Sequence, residues 1–543
     1  MPDPIRPMLS RPACHITALV SCLLLSVVGT ATSLQTAHAD PTNYTLAVSS
    51  GVSTRYQLTP VVDAAQRLLN VQLSFDPTGD TGKIELQMPV WSPGDYHFQH
   101  HAASVAHFEA FSVNDAGTET AVPVTHPDEN TWQIAAAGAQ HIVVRYGLPE
   151  TPAGIFSENV KLQLHYCFVN GPAALVYLVG HKDAASLLSF KLPSGWSSSV
   201  PLAPQLVAGK PVDNVYLADD YDTLADSPEV FGDSTGILVS DFQQDGTDFK
   251  LVLLRNPSRV TDLPGLIQTV KTVAKTEAAL MGGMPTKHYN FIFDVDGPGG
   301  GLEHLNSFRI GLFSRANPMR FSAMIAHEFF HQWNVKRIRP AVLGPFDYIK
   351  PPRTRNLWFA EGVTEYYAQI CEYRGGFATA DQVLQHFRRL IGFIPNVPAM
   401  KTVTAEDASF RVWESGNSEG FGGLSYYFKG ELIGLCLDLK IRAVTDGKKS
   451  LDDVMRLLMK RHAPPLPGYG EDEIRTTVNE VAGQDLSSLY NLLARTTEDL
   501  PLKELLAPFG LNSEMQPVTP PGTADEVAAQ KLLREGWLEG VTK

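Results

Sequence analysis

From about residue 44 to 235, apolar positions recur at every second residue. Ile84, Leu86, Met88 and Val90 alternate in "KIELQMPVW", as do Leu162, Leu164, Tyr166 and Phe168 in "KLQLHYCFV"; this is the period of half-buried strands. Turn-forming runs such as "DPTGDTG" and "SPGD" separate them, and the pattern predicts a β-sandwich-like domain. After about residue 236 the period changes. Strand-like "DFKLVLLR" and "HYNFIFDV" flank a helical stretch from Gly265 to Leu280 that stops at Gly282 and Gly283, an α+β segment. From about residue 446 onward the chain reads as helical, with Leu451, Val454, Leu457 and Leu458 on one face of "LDDVMRLLMKRH". Beyond the Pro-rich "PVTPPGT" a short helix or loose tail is expected. The expected class is therefore α+β multidomain: a leader over residues 1–39, a β-rich domain over 40–235, an α+β domain over 236–445 and a helical region over 446–543.

Composition narrows the setting. The chain has 543 residues, 44% of them hydrophobic, and a formal net charge of −14, enough for more than one core. Arg6 and Arg11, the apolar run "ITALVSCLLLSVVGTATSL" and "AHA" at Ala37–Ala39 follow the order of a secretory signal peptide. Cleavage after Ala39 is expected, with an uncleaved anchor as the alternative, and the mature chain is expected in the periplasm or the medium. No later segment is apolar for long enough to span a membrane. An acidic exported chain is a poor nucleic-acid binder. Cys167, Cys371 and Cys436 lie far apart without metal-type or redox spacing, so at most one disulfide is possible.

"HEFFH" places His327 and His331 on one face of a helix, one turn apart, where two imidazoles can reach one ion. Glu328 sits where it can reach a metal-bound water. The bland alternative is a surface helix with paired histidines. Catalytic zinc takes three protein ligands and keeps a fourth position for water. The apolar helix of "NLWFAEGVTEYYAQICEYRGG" offers Glu361, Glu365 and Glu372, among which spacing does not choose; a solvated helix face is the plain reading of Glu372. The glycine-rich "GPGGGLEH" lacks the Lys-Ser/Thr of a phosphate loop; Gly300 and Gly301 instead let the backbone approach a bound substrate. "SYYFKGELIGLCLDLKIR" offers Tyr426 and Tyr427 as phenol donors or buried structural residues. Lys336, Arg337 and Arg339 of "KRIRP" read as a solvated or ion-paired face, or as contacts to backbone carbonyls or a peptide carboxylate. Asn334 reads as structural.

"HEFFHQWNVKRIRP", "LWFAEGVTEYY" and "GGLEHLNS" together resemble the glycyl aminopeptidase family of zinc metallopeptidases, relatives of the alanyl aminopeptidases and of thermolysin-like enzymes. The likeness extends to "PVWSPGDY", "DYDTLADSPEVFG" and "LPLKELLAPFGL", and so over most of the mature chain. It implies a thermolysin-like catalytic domain over 236–445. It also implies one Zn2+ held by His327, His331 and Glu361, with Glu365 as a supporting residue. The run ending in Glu303 resembles the Gly-x-Met-Glu-Asn strand of the alanyl aminopeptidases, whose glutamate holds the substrate's free α-amine. His304 departs from the asparagine there and is left without a role. The Tyr-x-Lys-Gly spacing resembles the relatives' catalytic tyrosine at Tyr427.

The resulting expectation is an aminopeptidase in which Glu328 moves the proton, Tyr427 faces the oxyanion and Glu303 anchors the α-amine of a peptide with a free N-terminus. A preference for glycine or alanine is what the resemblance implies. Two rivals are a secreted zinc endopeptidase and an inactive binding protein of the same fold. Family members commonly carry a PDZ domain, but too few residues follow Leu511 for a complete one.

Overall fold

The alternating apolar runs become strands because each can hide one face. Val52–Val62 pairs antiparallel with Arg67–Phe75, from Thr54↔Phe75 to Val62↔Arg67, and parallel with Ala185–Phe190 on its other side. They lie in an eight-stranded sheet accompanied by two four-stranded sheets, with Tyr56, Leu58, Val71 and Leu73 buried. The computed structural model describes residues 52–540 except 64, 78–81, 137, 153, 155–158, 313–320, 417–418 and 519–522. The expected leader over residues 1–39 lies outside them.

Two strand expectations need correction. "KIELQMPVW" is a strand only over Ile84–Gln87, because Pro89 brings no N–H to a ladder. The Met88 and Val90 amides donate instead to the carbonyls of Asn130 and Tyr348, each at 2.9 Å. "KLQLHYCFV" is a hairpin, Val160–Leu162 against Tyr166–Val169, and Leu164 stands half exposed at its tip. Alternation runs unbroken through the turn, so the pattern conceals it.

A five-stranded sheet follows, ordered Ile237–Gln244, Thr247–Leu254, His288–Val295, Ser307–Leu312, Gly300–His304. The parallel pair Thr247–Leu254 and His288–Val295 is joined by the helix Leu263–Met281. Asp262 caps that helix, accepting from the Gly265 amide at 2.8 Å, and Gly282 ends it at φ 89°, a backbone state that glycine adopts cheaply. Gly300–His304 is the antiparallel edge strand, and the helix Ser322–Phe330 packs beside it. After Ser450 the described residues form helices, completing a mixed α+β fold with a β-rich N-terminal domain and a helical C-terminal region. In Leu451–His462 the buried face uses Met455 where Leu457 was expected.

The end of the chain is a helix, Ala524–Glu539, and it is anchored rather than loose. Trp537 is fully buried; its indole N–H donates to the Tyr366 hydroxyl at 2.9 Å, which in turn donates to Asp438 at 2.6 Å. Arg442 and Arg374 donate to the carbonyls of Gly536 (2.9 Å) and Leu538 (3.0 Å), satisfying acceptors that a helix end leaves open. Trp537→Ala should lower unfolding free energy by about 3–5 kcal/mol, measured by denaturant titration, and expose the last helix to limited proteolysis.

Candidate functional site

The two phenylalanines of "HEFFH" decide where its histidines face. Phe329 stacks on Phe291 of the five-stranded sheet (5.4 Å, 23°) and meets Tyr289 edge-on at 4.9 Å, while Phe330 stacks on Tyr367 at 4.6 Å. With those sides of the helix Ser322–Phe330 committed to the core, His327 in its last turn and His331 at its C-cap share the remaining side. The Asn334 carbonyl lies 2.7 Å from His331 Nδ1. A carbonyl only accepts, so Nδ1 carries a hydrogen, and Nε2 is the ring nitrogen turned to the other groups of the site. That Nε2 lies 3.0 Å from His327 Nε2 and 3.2 Å from Glu361 Oε2, and His327 Nε2 is 3.8 Å from the same oxygen.

Glu361 projects from a π-helical turn, Trp358–Gly362, that leads into the helix Val363–Arg374. Such a turn disturbs the i→i−4 ladder and is frequent at functional sites. Asn334 takes up the slack: its side-chain amide donates to the carbonyls of Phe359 (2.9 Å) and Ala360 (3.3 Å). Behind Glu361, Gly362 crosses Gly430 of the helix Tyr426–Val444 so closely that a Cβ on Gly362 would lie 2.4 Å from Gly430 Cα. The crossing brings the first turn of that helix to the histidines, with the Tyr427 ring 6.0 Å from the His327 ring at 27°. Tyr426 is buried and stacks on Tyr427 at 5.0 Å. Glu365 Oε1 lies 3.5 Å from His327 Nδ1, on the ring nitrogen away from Glu361. Glu372 is half buried and bonded to Ser322, not on a solvated face.

Glu328 and Glu303 complete the cluster. Gly301 is pressed against Glu328: a Cβ there would sit 2.0 Å from its Oε1. Glycine at this place therefore makes room for the carboxylate of the neighbouring helix, a reason the sequence does not reveal. Gly300, at φ 114°, needs the freedom of glycine for its backbone alone. Glu303 is buried on the edge strand, and Gly94 of the "SPGD" turn closes on it, with a would-be Cβ 2.6 Å from both carboxylate oxygens. Tyr96, also buried, faces Glu361 and Glu303 from the same turn.

"KRIRP" is neither solvated nor idle. Lys336 is buried, with its Nζ 2.9 Å from Asp226 Oδ2 and 3.8 Å from Glu303 Oε1, and His304 Nδ1 is 3.1 Å from Asp226 Oδ1. Arg337 donates to the carbonyls of Leu305 (3.1 Å) and Gln332 (2.8 Å), and Arg339 lies over the Phe346 ring at 5.4 Å. Sequence reasoning named Lys336 without its partner and missed Asp226, Gly94 and Tyr96. Their only signal was that "PVWSPGDY" and "DYDTLADSPEVFG" belonged to the resemblance.

Carboxylates outnumber cations here, and the site's electrostatics follow. Burial pushes Glu328 up to about 8, against the pull of His327, a value suited to accepting and returning a proton near neutrality. Burial likewise raises Glu303, opposed by Lys336. Burial disfavours a charged His331, yet Glu361 and Glu303 outweigh it and lift the imidazole to about 9. Burial, then Glu361, push the Tyr427 phenol well above the ordinary tyrosine range, so it keeps its proton and can donate it. This field draws positive charge. His327, His331 and Glu361 present ligand atoms all within 4.8 Å of one another, and Glu361 Oε1 is buried without a hydrogen bond among the described residues. A set of two imidazoles and a carboxylate with an orphaned oxygen fits a zinc-sized cation.

Comparison with known proteins agrees with this geometry. Residues 55–233 match the model of the peptidase M61 N-terminal domain, and residues 320–433 match that of the M61 glycyl aminopeptidase. No curated protein is a match. Among solved structures, the chain is similar to an aminopeptidase N family protein from Idiomarina loihiensis. The two are 25% identical with a TM-score of 0.75, over 84% of this chain and 78% of that one. It also shares its fold with an M1 zinc metallopeptidase from Deinococcus radiodurans, at 12% identity and a TM-score of 0.51, over 83% of this chain and 95% of that one.

Asn334→Ala should remove the side-chain donor to the Phe359 carbonyl and one of two side-chain donors to the Ala360 carbonyl, which keeps its bond from Thr364, lowering stability by about 1–3 kcal/mol. Chemical unfolding of the variant beside the parent chain measures it.

Proposed function

The chain belongs to the M61 glycyl aminopeptidase family and is a peptidase, and from that premise we propose that it is an exported zinc aminopeptidase that removes small N-terminal residues, glycine or alanine, from peptides. One observation carries the reading. His331 belongs to two clusters, His327–His331–Glu361 and Glu303–Glu328–His331, each with its ligand atoms within 4.8 Å of one another. A carboxylate able to hold an ammonium thus sits one residue's reach from the group that would be attacked, which favours cutting after the first residue over cutting in mid-chain.

His327, His331 and Glu361 would hold a zinc ion, with Glu365 placed behind His327 to orient it. Bound there, zinc supplies a Lewis acid that makes water a better nucleophile and polarises the scissile carbonyl. Glu328 accepts the proton of the attacking water on its carboxylate and delivers it to the leaving amine. Tyr427 donates its phenolic hydrogen to the developing oxyanion, and Glu303 receives the α-ammonium. The close approach of Gly94 to Glu303 leaves little room beside the amine, which supports a preference for small first residues.

The divisions near residues 235 and 445 belong to the same reading. A β-rich domain lends its Ser92–Tyr96 turn to Glu303, a thermolysin-like domain carries the chemistry, and the helical region supports it. Export rests on the leader sequence before Asp40. Among the described residues no helix is long and apolar enough to cross a membrane, and Cys167, Cys371 and Cys436 are buried free thiols.

Acetylating the N-terminus of a glycyl substrate should lower kcat/KM by about a hundredfold or more; equal rates on free and blocked substrates would leave the endopeptidase reading in its place. Glu328→Gln should cut kcat by about 10²–10⁴, while metal analysis still finds zinc in the purified protein. An unchanged kcat would remove Glu328 from the mechanism.

A further inference from the structure

The residue that sequence reasoning left without a role, His304, leads to a charge-balancing device behind the amine anchor. We propose that Asp226, held by His304, is a positioning residue for the substrate's α-ammonium: it engages Lys336 and so keeps that lysine from closing on Glu303. The inference rests on the reading that Glu303 binds the amine.

The geometry is unequal in a telling way. Lys336 Nζ has both oxygens of Asp226 within reach, Oδ2 at 2.9 Å and Oδ1 at 3.2 Å, but stands 3.8 Å from Glu303 Oε1, beyond hydrogen-bond distance. Glu303 Oε1 is buried and has no hydrogen-bond partner among the described residues. His304 fixes Asp226 from its other side at 3.1 Å, and because His304 directly follows Glu303, the network returns to the strand that carries the anchor. Lys336, Asp226, Glu303 and His304 are all nearly inaccessible to solvent. Two carboxylates, Asp226 and Glu303, thus share one ammonium, which pairs with Asp226 and leaves Glu303 Oε1 without a hydrogen bond among the described residues. Buried charge is costly unless paired, so one further cation is wanted, and the unsatisfied oxygen of Glu303 is where it is wanted. A substrate ammonium restores the balance.

Without the charge of Asp226, the nearest partner for Lys336 is Glu303 itself. The two would close on each other, and the substrate amine would have to compete with a tethered lysine. Lys336 is thus a latent internal competitor that Asp226 restrains.

The test is steady-state kinetics on glycyl p-nitroanilide with purified full-length variants, with melting temperature and bound zinc measured on each. Asp226→Asn should raise KM about tenfold or more with kcat little changed. Adding Lys336→Met to Asp226→Asn should restore KM toward the parent value, because the competitor has gone. A purely structural role predicts the opposite, with the second change adding to the damage. Should Asp226→Asn fail to fold, His304→Gln decides: a severalfold rise in KM supports the device, and an unchanged KM overturns it. Glu303→Gln separates the two layers of the argument. If it leaves the discrimination between free and acetylated substrates intact, the amine-anchor reading fails. If it abolishes that discrimination while Asp226→Asn leaves KM unchanged, or the double variant shows no rescue, only the present inference fails.

Discussion

Asn334 links the two segments on which the centre is built, and it does so with opposite ends of one residue. Its backbone carbonyl fixes a hydrogen of His331 on Nδ1, and its side-chain amide donates to the Phe359 and Ala360 carbonyls of the π-turn under Glu361, the second of which also accepts from the Thr364 hydroxyl. In a dry core such carbonyls are costly when unpaired, so the π-turn and the asparagine require each other. The angle of one imidazole and the position of the carboxylate facing it are thereby set together. The Gly362–Gly430 crossing passes the same constraint to the helix that brings Tyr427.

Around that frame the protein accumulates negative charge. Glu361, Glu328, Glu303 and Glu365 surround two imidazoles, and among the described residues Lys336 is the buried ammonium beside them. Burial first, and the neighbouring carboxylates after it, raise Glu328 and Glu303, while Glu361 and Glu303 outweigh burial to raise His331.

Much of this was legible in the residues and some was not, for physical reasons. The i,i+4 spacing of His327 and His331 reports a helix face, and the long apolar runs at Thr247–Leu254 and His288–Val295 report buried strands, since both are local consequences of period. Glu361 emerged from three candidates only through resemblance, because a π-turn shifts the side-chain phase that spacing assumes. Lys336 was visible as a cation, but its partner Asp226 lies far upstream, and no local pattern encodes a pairing made by tertiary folding. The same holds for Gly94 and Tyr96. Gly301 was recognised as a close approach, but the group approaching it is Glu328. The hairpin at Gln163–His165 and the end of the strand at Pro89 were lost inside an unbroken alternation.

The anchoring of Trp537 carries a consequence for how the enzyme is made. Tyr366, which receives the indole hydrogen bond, stands on the helix that continues directly from the π-turn holding Glu361. During synthesis the ribosome delivers the π-turn well over a hundred residues before it delivers Trp537. A nascent chain therefore carries Glu361 and its π-turn while Trp537, which braces the following helix through Tyr366, is still to come.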